Sequence, residues 1–403
     1  TQTLSSTAPV LNHKYYGSIM YKTASGLTAA DNRFEWYNTD NSDALMVFAN
    51  KKDTQGKWER LSGIGQITST SYLDKSWYVR NFMVNATTNS YVDEVMIVDL
   101  TETFGAGNEP TKEWCDENIN YFEGTTIIKV EPKGTDTLIA LTDNKDNSGL
   151  YRITHQKDST LQIGNDKNIT EYRYRGASPK NYVTFNNEVW RIIGVFPTDD
   201  GTGKIENRIK IIKDQSIGNK YWDTSGSNNW ARPATLNTEL NTTYLNSLDS
   251  TAQSMIGNTK YYLGGYNNTP NVQKDVMYQY ERKINGSTYY YESNPNSFIG
   301  KLGLMYASDY GYAVSDECTQ TLYNYNNATC KNNNWLFKSI NEWLLPQVAS
   351  NSYRAFYVLS DGIVHRDIVS DGQLAVRPVL YLISSAKITG GNGTSTNPYT
   401  FGI

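Results

Sequence analysis

Concentrated positive charge is missing from this sequence: 37 Lys and Arg lie scattered among 41 Asp and Glu, for a net charge of −4. An electrostatic grip on nucleic acid needs a basic stripe, so nucleic acid is not an expected partner. Histidine is scarcer still. With only His13, His155 and His365, the Cys and His spacing of a zinc site is absent, and neither a metal site nor a cofactor is expected. Long apolar runs are also lacking. Val95 to Val98 and Val379 to Ile383 are typical of the longest, against the ~20 residues that a spanning helix needs. No signal peptide precedes Thr1, so the chain is expected to begin after a removed export signal or membrane anchor, or to be a trimmed piece. Membrane attachment is expected only through such a missing N-terminal anchor.

Cysteine is limited to Cys115, Cys318 and Cys330. Cys318 and Cys330 bracket Thr319 to Thr329, a polar loop that a disulfide closes in an oxidising compartment; the alternative is three ordinary thiols. Apolar residues (38%) and charged residues (19%) both fall below globular averages, which argues against a bundle rich in Ala, Leu, Glu and Lys.

What the chain does have is tyrosine, 31 against 11 Phe and 7 Met, and asparagine, roughly a tenth of all residues. Asn and Gly accept positive φ in turns, and Tyr packs well on pleated sheets, so the fold class is mainly β with minor α. Tyr is also a good contact residue, with a large rigid face and a polar tip. Its abundance suits either a solvated β fold or a binding surface.

The 403 residues suffice for two ordinary domains or three small ones. Over residues 1–124, strand-like runs at Arg33 to Tyr37, Ala44 to Asn50, Trp58 to Ile67, Ser76 to Val84 and Tyr91 to Leu100 alternate with turn residues, the spacing of a sandwich or jelly roll. A helix is expected from Pro110 onward, with Trp114, Ile119 and Phe122 on its apolar side. Residues 125–178 read as a connector or small β module, with strand-like pieces at Thr126 to Val130 and Thr137 to Leu141.

Residues 179–403 open on a hairpin signal, Tyr182 to Phe185 and Val189 to Phe196 around Asn186-Asn187-Glu188, followed by a strand at Ile209 to Lys213. Leu236, Leu240, Tyr244, Leu245 and Leu248 have helical spacing. Asp361-Gly362 and Asp371-Gly372 are hairpin cues. They predict an antiparallel meander of Tyr357 to Ser360, Ile363 to Val369 and Ala375 to Leu382. The tail from Gly390 reads as a turn and a closing edge strand at Tyr399.

Two stretches resemble known families. The run from Asp99 to Thr111, DLTETFGAGNEPT, resembles a signature of tail and surface proteins of gram-positive bacteria and their phages. There it closes a jelly-roll module similar to galactose-binding-like, carbohydrate-binding domains. The second, about Tyr172 to Tyr399, rests on Asn187 to Phe196, Ile299 to Tyr312, Trp343 to Leu345 and Val376 to Leu382. These are similar to the C-type-lectin-like domains of surface and pilin-like proteins of gut bacteria, and of variable proteins diversified by retroelements. The resemblance implies an N-terminal jelly-roll β-sandwich followed by an α+β C-type-lectin-like domain. It also implies ligand contacts just before a Gly-x-Arg-Pro-Val-like strand, where Ala375 here replaces the Gly. The calcium-and-sugar tripeptides of animal lectins are missing, and no cysteine follows Cys330 to supply the pair that formylglycine-generating enzymes use.

On that resemblance the expected ligand-binding residues are Asn351, Tyr353, Arg354, Phe356, Leu359, Ile363, His365, Arg366, Asp367, Gln373 and Leu374. The plain alternative is an ordinary, partly solvated hairpin. Trp36, Trp58 and Trp77 are candidates for a sugar platform or for core packing. The runs Tyr261-Tyr262 and Tyr289-Tyr290-Tyr291 read as half-buried, since neighbours on a strand point to opposite faces.

No catalytic residues are expected. His365, Arg366 and Asp367 superficially resemble a triad, but successive strand residues alternate in direction. No spacing singles out two carboxylates for a glycosidase, and Gly390 to Gly393 lacks the Lys and helix of a phosphate cradle. The expectation is an adhesin or receptor-binding protein, extracellular, on a cell surface or on a phage virion, with a protein or glycan receptor as partner. The alternatives are a structural pilin-like or tail-fibre subunit and, more remotely, an enzyme acting on cell-wall glycan.

Overall fold

A computed structural model of the chain describes residues 9–26, 31–38, 44–50, 53–70, 73, 77–84, 87, 89–119 and 132–403. The fold is mainly β, with 36% strand and 17% helix in several antiparallel and mixed sheets. The chain divides into two compact units, Thr1–Pro132 and Lys133–Ile403.

The first unit holds β1 (Lys14–Thr23), β2 (Asp31–Asn38), β3 (Ala44–Asn50), β4 (Glu59–Gln66), β5 (Trp77–Val84) and β6 (Ser90–Asp99). They form two three-stranded antiparallel sheets, ordered β4-β1-β6 and β3-β2-β5. Five of these strands are where turn-residue punctuation predicts them; β1 was not anticipated. Tyr15, Ile19 and Tyr21 from one sheet and Phe34, Trp36, Phe48 and Val79 from the other share one core. Glycine allows this close approach: a Cβ on Gly17 would lie 2.4 Å from the Phe48 ring, and one on Gly63 would lie 1.8 Å from the Phe48 carbonyl oxygen.

The Asp99 to Thr111 run folds as a short helix α1 (Leu100–Phe104), a left-handed Gly turn and the start of α2 (Lys112–Asn118). Asp99 caps α1 by accepting from Glu102 N, and Thr111 caps α2 by accepting from Trp114 N. Glu109 ties the turn, accepting from Thr101 Oγ1 at 2.8 Å and Gly107 N at 3.0 Å. The whole signature thus accounts for itself as local structure. Cys115 is buried on α2 among Tyr16, Met96, Leu100 and Ile119. Phe122 and Thr126 to Val130 lie outside the described residues.

The second unit begins with α3 (Gly134–Ile139), which replaces the strand expected at Thr137 to Leu141. Tertiary packing overrides the β-branched composition here: Gly134 N donates to Ala386 O at 2.7 Å, and Leu138 is fully buried. Then come β7 (Tyr151–His155), β8 (Ile169–Arg173), β9 (Tyr182–Phe185), β10 (Glu188–Asp199), β11 (Ile205–Lys213) and β12 (Asn219–Lys220). A helical stretch follows: α4 (Thr235–Glu239), a π turn at Leu240–Tyr244, α5 (Leu245–Ser247) and α6 (Ser250–Met255). Beyond it lie β13 (Thr259–Tyr262), α7 (Lys274–Glu281), β14 (Ser297–Gly300), β15 (Leu302–Gly303), α8 (Ala307–Tyr312) and α9 (Ala328–Lys331). The last strands are β16 (Glu342–Gln347), β17 (Arg354–Val358), β18 (Val364–Ile368), β19 (Leu374–Ala375), β20 (Val379–Tyr381), β21 (Lys387–Gly390) and β22 (Tyr399–Gly402).

One nine-stranded sheet runs β15-β20-β11-β10-β9-β22-β21, with β8 pairing β10 and β7 pairing β8. From Lys133 onward, therefore, the segment read as a connector is part of this unit. A five-stranded sheet runs β12-β19-β16-β17-β18. The Asn186-Asn187 hairpin forms as expected, both residues having positive φ.

The meander holds only in part. β17 and β18 pair around Gly362 (φ +105°), but neither Asp371 nor Gly372 has positive φ. The chain then leaves the hairpin: β19 joins β12 and β16, and β20 crosses to the large sheet between β15 and β11. Pro378, lacking an N–H, separates the two. Nor is β22 an edge strand, because it lies between β9 and β21.

Candidate functional site

The expected binding face does not assemble as one surface. Opposed residues of an antiparallel pair share a side of the sheet. The β17–β18 register therefore puts Arg354, Phe356, Arg366 and Ile368 on one side, and Ala355, Tyr357, His365 and Asp367 on the other. Phe356 (0% exposed) and Leu374 (9%) are core residues, which corrects their assignment as contacts. The reason is position: β17 lies inside the sheet, covered on both faces, whereas β18 is its edge. His365, Arg366 and Asp367 on that edge are half-buried, as are Asn351, Arg354, Leu359 and Ile363; Tyr353 and Gln373 are exposed.

His365 Nδ1 lies 3.1 Å from the Arg366 carbonyl oxygen, and its ring sits 6.0 Å from Tyr323 and 6.1 Å from Tyr357. Cys318 and Cys330 are disulfide-bonded. Trp36 is core, Trp58 is exposed, and the Trp77 side chain lies outside the described residues. Tyr261, Tyr262 and Tyr290 are buried, while Tyr289 and Tyr291 are half-buried.

Sequence reasoning passed over a groove of about 920 Å³ elsewhere on this unit. One wall is the end of β7 and the following loop, residues 153–166; the other is α7 with Tyr312 behind it. The loop is tied rather than loose. Asp158 Oδ1 accepts from Thr160 N and Oγ1 at 2.9 and 2.6 Å, Lys283 Nζ reaches Oδ2 at 3.1 Å, and Asp158 N donates to Gly164 O at 2.9 Å. The Thr160 donors, with Lys283 adding to them, hold the Asp158 carboxyl down to about 2. Such a group stays ionised near neutrality and cannot serve as a general acid.

Two rings, His155 and Tyr312, line the groove, and Tyr278 is buried behind His155. His155 stacks flat on Tyr278, with centroids 3.7 Å apart and planes 3° apart, and Arg282 lies 3.7 Å from the same Tyr278 centroid. Two groups that close must occupy opposite faces, so Tyr278 is sandwiched. Tyr312 meets His155 edge-on at 6.1 Å. Exposed side chains rim the groove: Gln156, Lys157, Asn165 and Asp166 from the loop, and Asp275 and Gln279 from α7. The last two are one helical turn apart and share a face.

Beneath the rings is a buried charge cluster. His155 Nε2 lies 3.0 Å from Glu171 Oε1, which also takes Arg173 Nε at 2.6 Å. Burial raises Glu171, but Arg173 and then His155 outweigh it and hold this carboxyl well below its usual range. Arg173 continues to Asp309 at 2.8 Å, and Asp309 contacts Lys210. Among the described residues, no group of three or more His, Cys, Asp or Glu is placed to hold a metal ion, and no helix is long and apolar enough to cross a membrane.

The groove's signal in the sequence was faint. His155 stands alone after an alternating strand, and its stacking partner Tyr278 is far along the chain. In comparisons with known proteins, no family model matches the chain, and no curated protein or solved structure matches it either.

Proposed function

We propose that the chain is a recognition protein, a surface adhesin or receptor-binding protein, whose second unit is a C-type-lectin-like scaffold following a galactose-binding-like jelly roll. Its ligand surface is the groove between the 153–166 segment and α7, and its ligand is a neutral or amino-substituted glycan. The observation that carries this reading is that the His155 and Tyr312 rings meet a polar rim in one groove. Aromatic side chains that line a groove suit the apolar faces of sugar rings, and amide and carboxylate side chains match vicinal hydroxyls as donors and acceptors. Asp158, Asp166 and Asp275 outnumber Lys157 along the groove, which disfavours anionic sugars. Asp158, held as a carboxylate, suits an acceptor of ligand hydroxyls better than a general acid.

The test is a glycan array probed with the full chain, the pair Asp275→Ala with Gln279→Ala, and the pair Tyr353→Ala with Arg366→Ala. Signal on neutral or amino glycans that falls at least tenfold only in the first pair supports the groove. Loss in the second pair alone returns the site to the β17–β18 hairpin. An array without signal above background for any glycan removes the recognition reading in favour of a structural subunit.

A further inference from the structure

Lys210 on β11 and Asp309 on α8 form an ion pair with no exposed side-chain surface on either partner, Nζ against Oδ2. Three aromatic rings surround the amine, with centroids at 4.5 Å (Tyr306), 5.1 Å (Tyr381) and 5.5 Å (Phe196). Asp309 is fixed from its other sides: Arg173 Nη1 donates to Oδ1 at 2.8 Å, and Tyr306 N donates to Oδ2 at 2.9 Å. From this placement we infer that Lys210 and Asp309 condense into an isopeptide bond, a covalent cross-link between strand and helix across 99 residues of sequence. The inference does not depend on the groove.

The chemistry balances without any external reagent. A proton passes from the Lys210 ammonium to Oδ2 across their contact, leaving an amine and a carboxylic acid. Nζ then attacks Cγ, a second nitrogen proton goes to the departing oxygen, and one water leaves as the amide forms. Burial eases the first step by pushing the Lys210 amine down to about 8, with Asp309 only partly offsetting it. Burial also raises Asp309, but Lys210 and then Arg173 outweigh it and keep that carboxyl below its usual range. Arg173 favours the carboxylate and so opposes that step. The same guanidinium then stabilises the charge that develops on Oδ1 in the tetrahedral adduct, as an oxyanion donor does. With both groups sealed from solvent, water is scarce for the reverse hydrolysis. An unreacted pair at this depth would carry the desolvation cost of two buried charges; the amide carries none.

The experiment is the intact mass of the purified full chain after reduction and denaturation. We expect wild type to be lighter than its sequence by one water, and Lys210→Arg and Asp309→Ala to have their full sequence masses. A digest of wild type should contain a branched peptide joining β11 to α8. A wild-type chain at full sequence mass overturns the inference, whatever the variants do. So does a one-water deficit that persists in Lys210→Arg, because the water is then lost elsewhere.

Discussion

Arg377 and Glu342 form a two-point ion pair in the core of the second unit, Nε to Oε1 at 2.7 Å and Nη2 to Oε2 at 2.8 Å. Both side chains are essentially buried, and Arg377 Nη2 also donates to the Leu336 carbonyl at 2.7 Å. The pair bolts the link between β19 and β20, where the chain changes sheets, to the start of β16. Arg377→Ala should therefore cost about 3–5 kcal/mol, because it leaves the buried Glu342 without its two-point partner. Replacing both with apolar residues should cost less than the two single changes summed, as measured by chemical denaturation.

The β17–β18 hairpin offers a contrast in burial. Phe356→Ala should destabilise by about 3–5 kcal/mol, the range for emptying an aromatic core site. Tyr353→Ala, on an exposed side chain three residues earlier, should change stability by at most about 0.5 kcal/mol. Comparable losses in the two variants would contradict the strand placement.

Reducing the Cys318–Cys330 disulfide should cost roughly 3 kcal/mol on a chain-entropy basis for a separation of 12 residues. Denaturation midpoints with and without reductant, alongside Cys318→Ser with Cys330→Ser, give the value. Cys115, buried on α2 with its thiol pushed up to about 12 by burial, should resist alkylation until the first unit unfolds.

Acid should selectively remove the contribution of Asp158. Its folded carboxyl is held down to about 2, chiefly by Thr160, so its stabilisation is present above the ordinary carboxylate range and is lost as pH falls through about 2. The stability difference between wild type and Asp158→Asn should be present at pH 6 and should vanish near pH 2. A difference that grows on acidification would have the wrong sign.

Strand composition made most of the first unit legible, because Tyr, Val and Ile runs between Asn, Gly and Asp clusters are local signals. The Asn186-Asn187 hairpin and the helical stretch from Thr235 were legible for the same reason. What local pattern could not reveal was which strands lie inside a sheet. The mix of large, charged and apolar side chains from Tyr353 to Asp367, which has no clean period, reads as a contact face or a partly solvated hairpin, yet Phe356 is core because β16 and β18 flank β17. Asp371-Gly372 is a strong turn cue that the fold overrides, sending β19 to a different neighbour. The groove was illegible for a similar reason: His155, Tyr278 and Tyr312 come from three separate elements, and only tertiary packing brings their rings together.

Hydrogen–deuterium exchange of the full chain, with and without the strongest glycan from the array, tests the central claim most directly. The account predicts slower exchange on binding in residues 153–166 and in α7, with β17 and β18 unchanged. Protection confined to residues 351–374, with the groove segments unaltered, would contradict it.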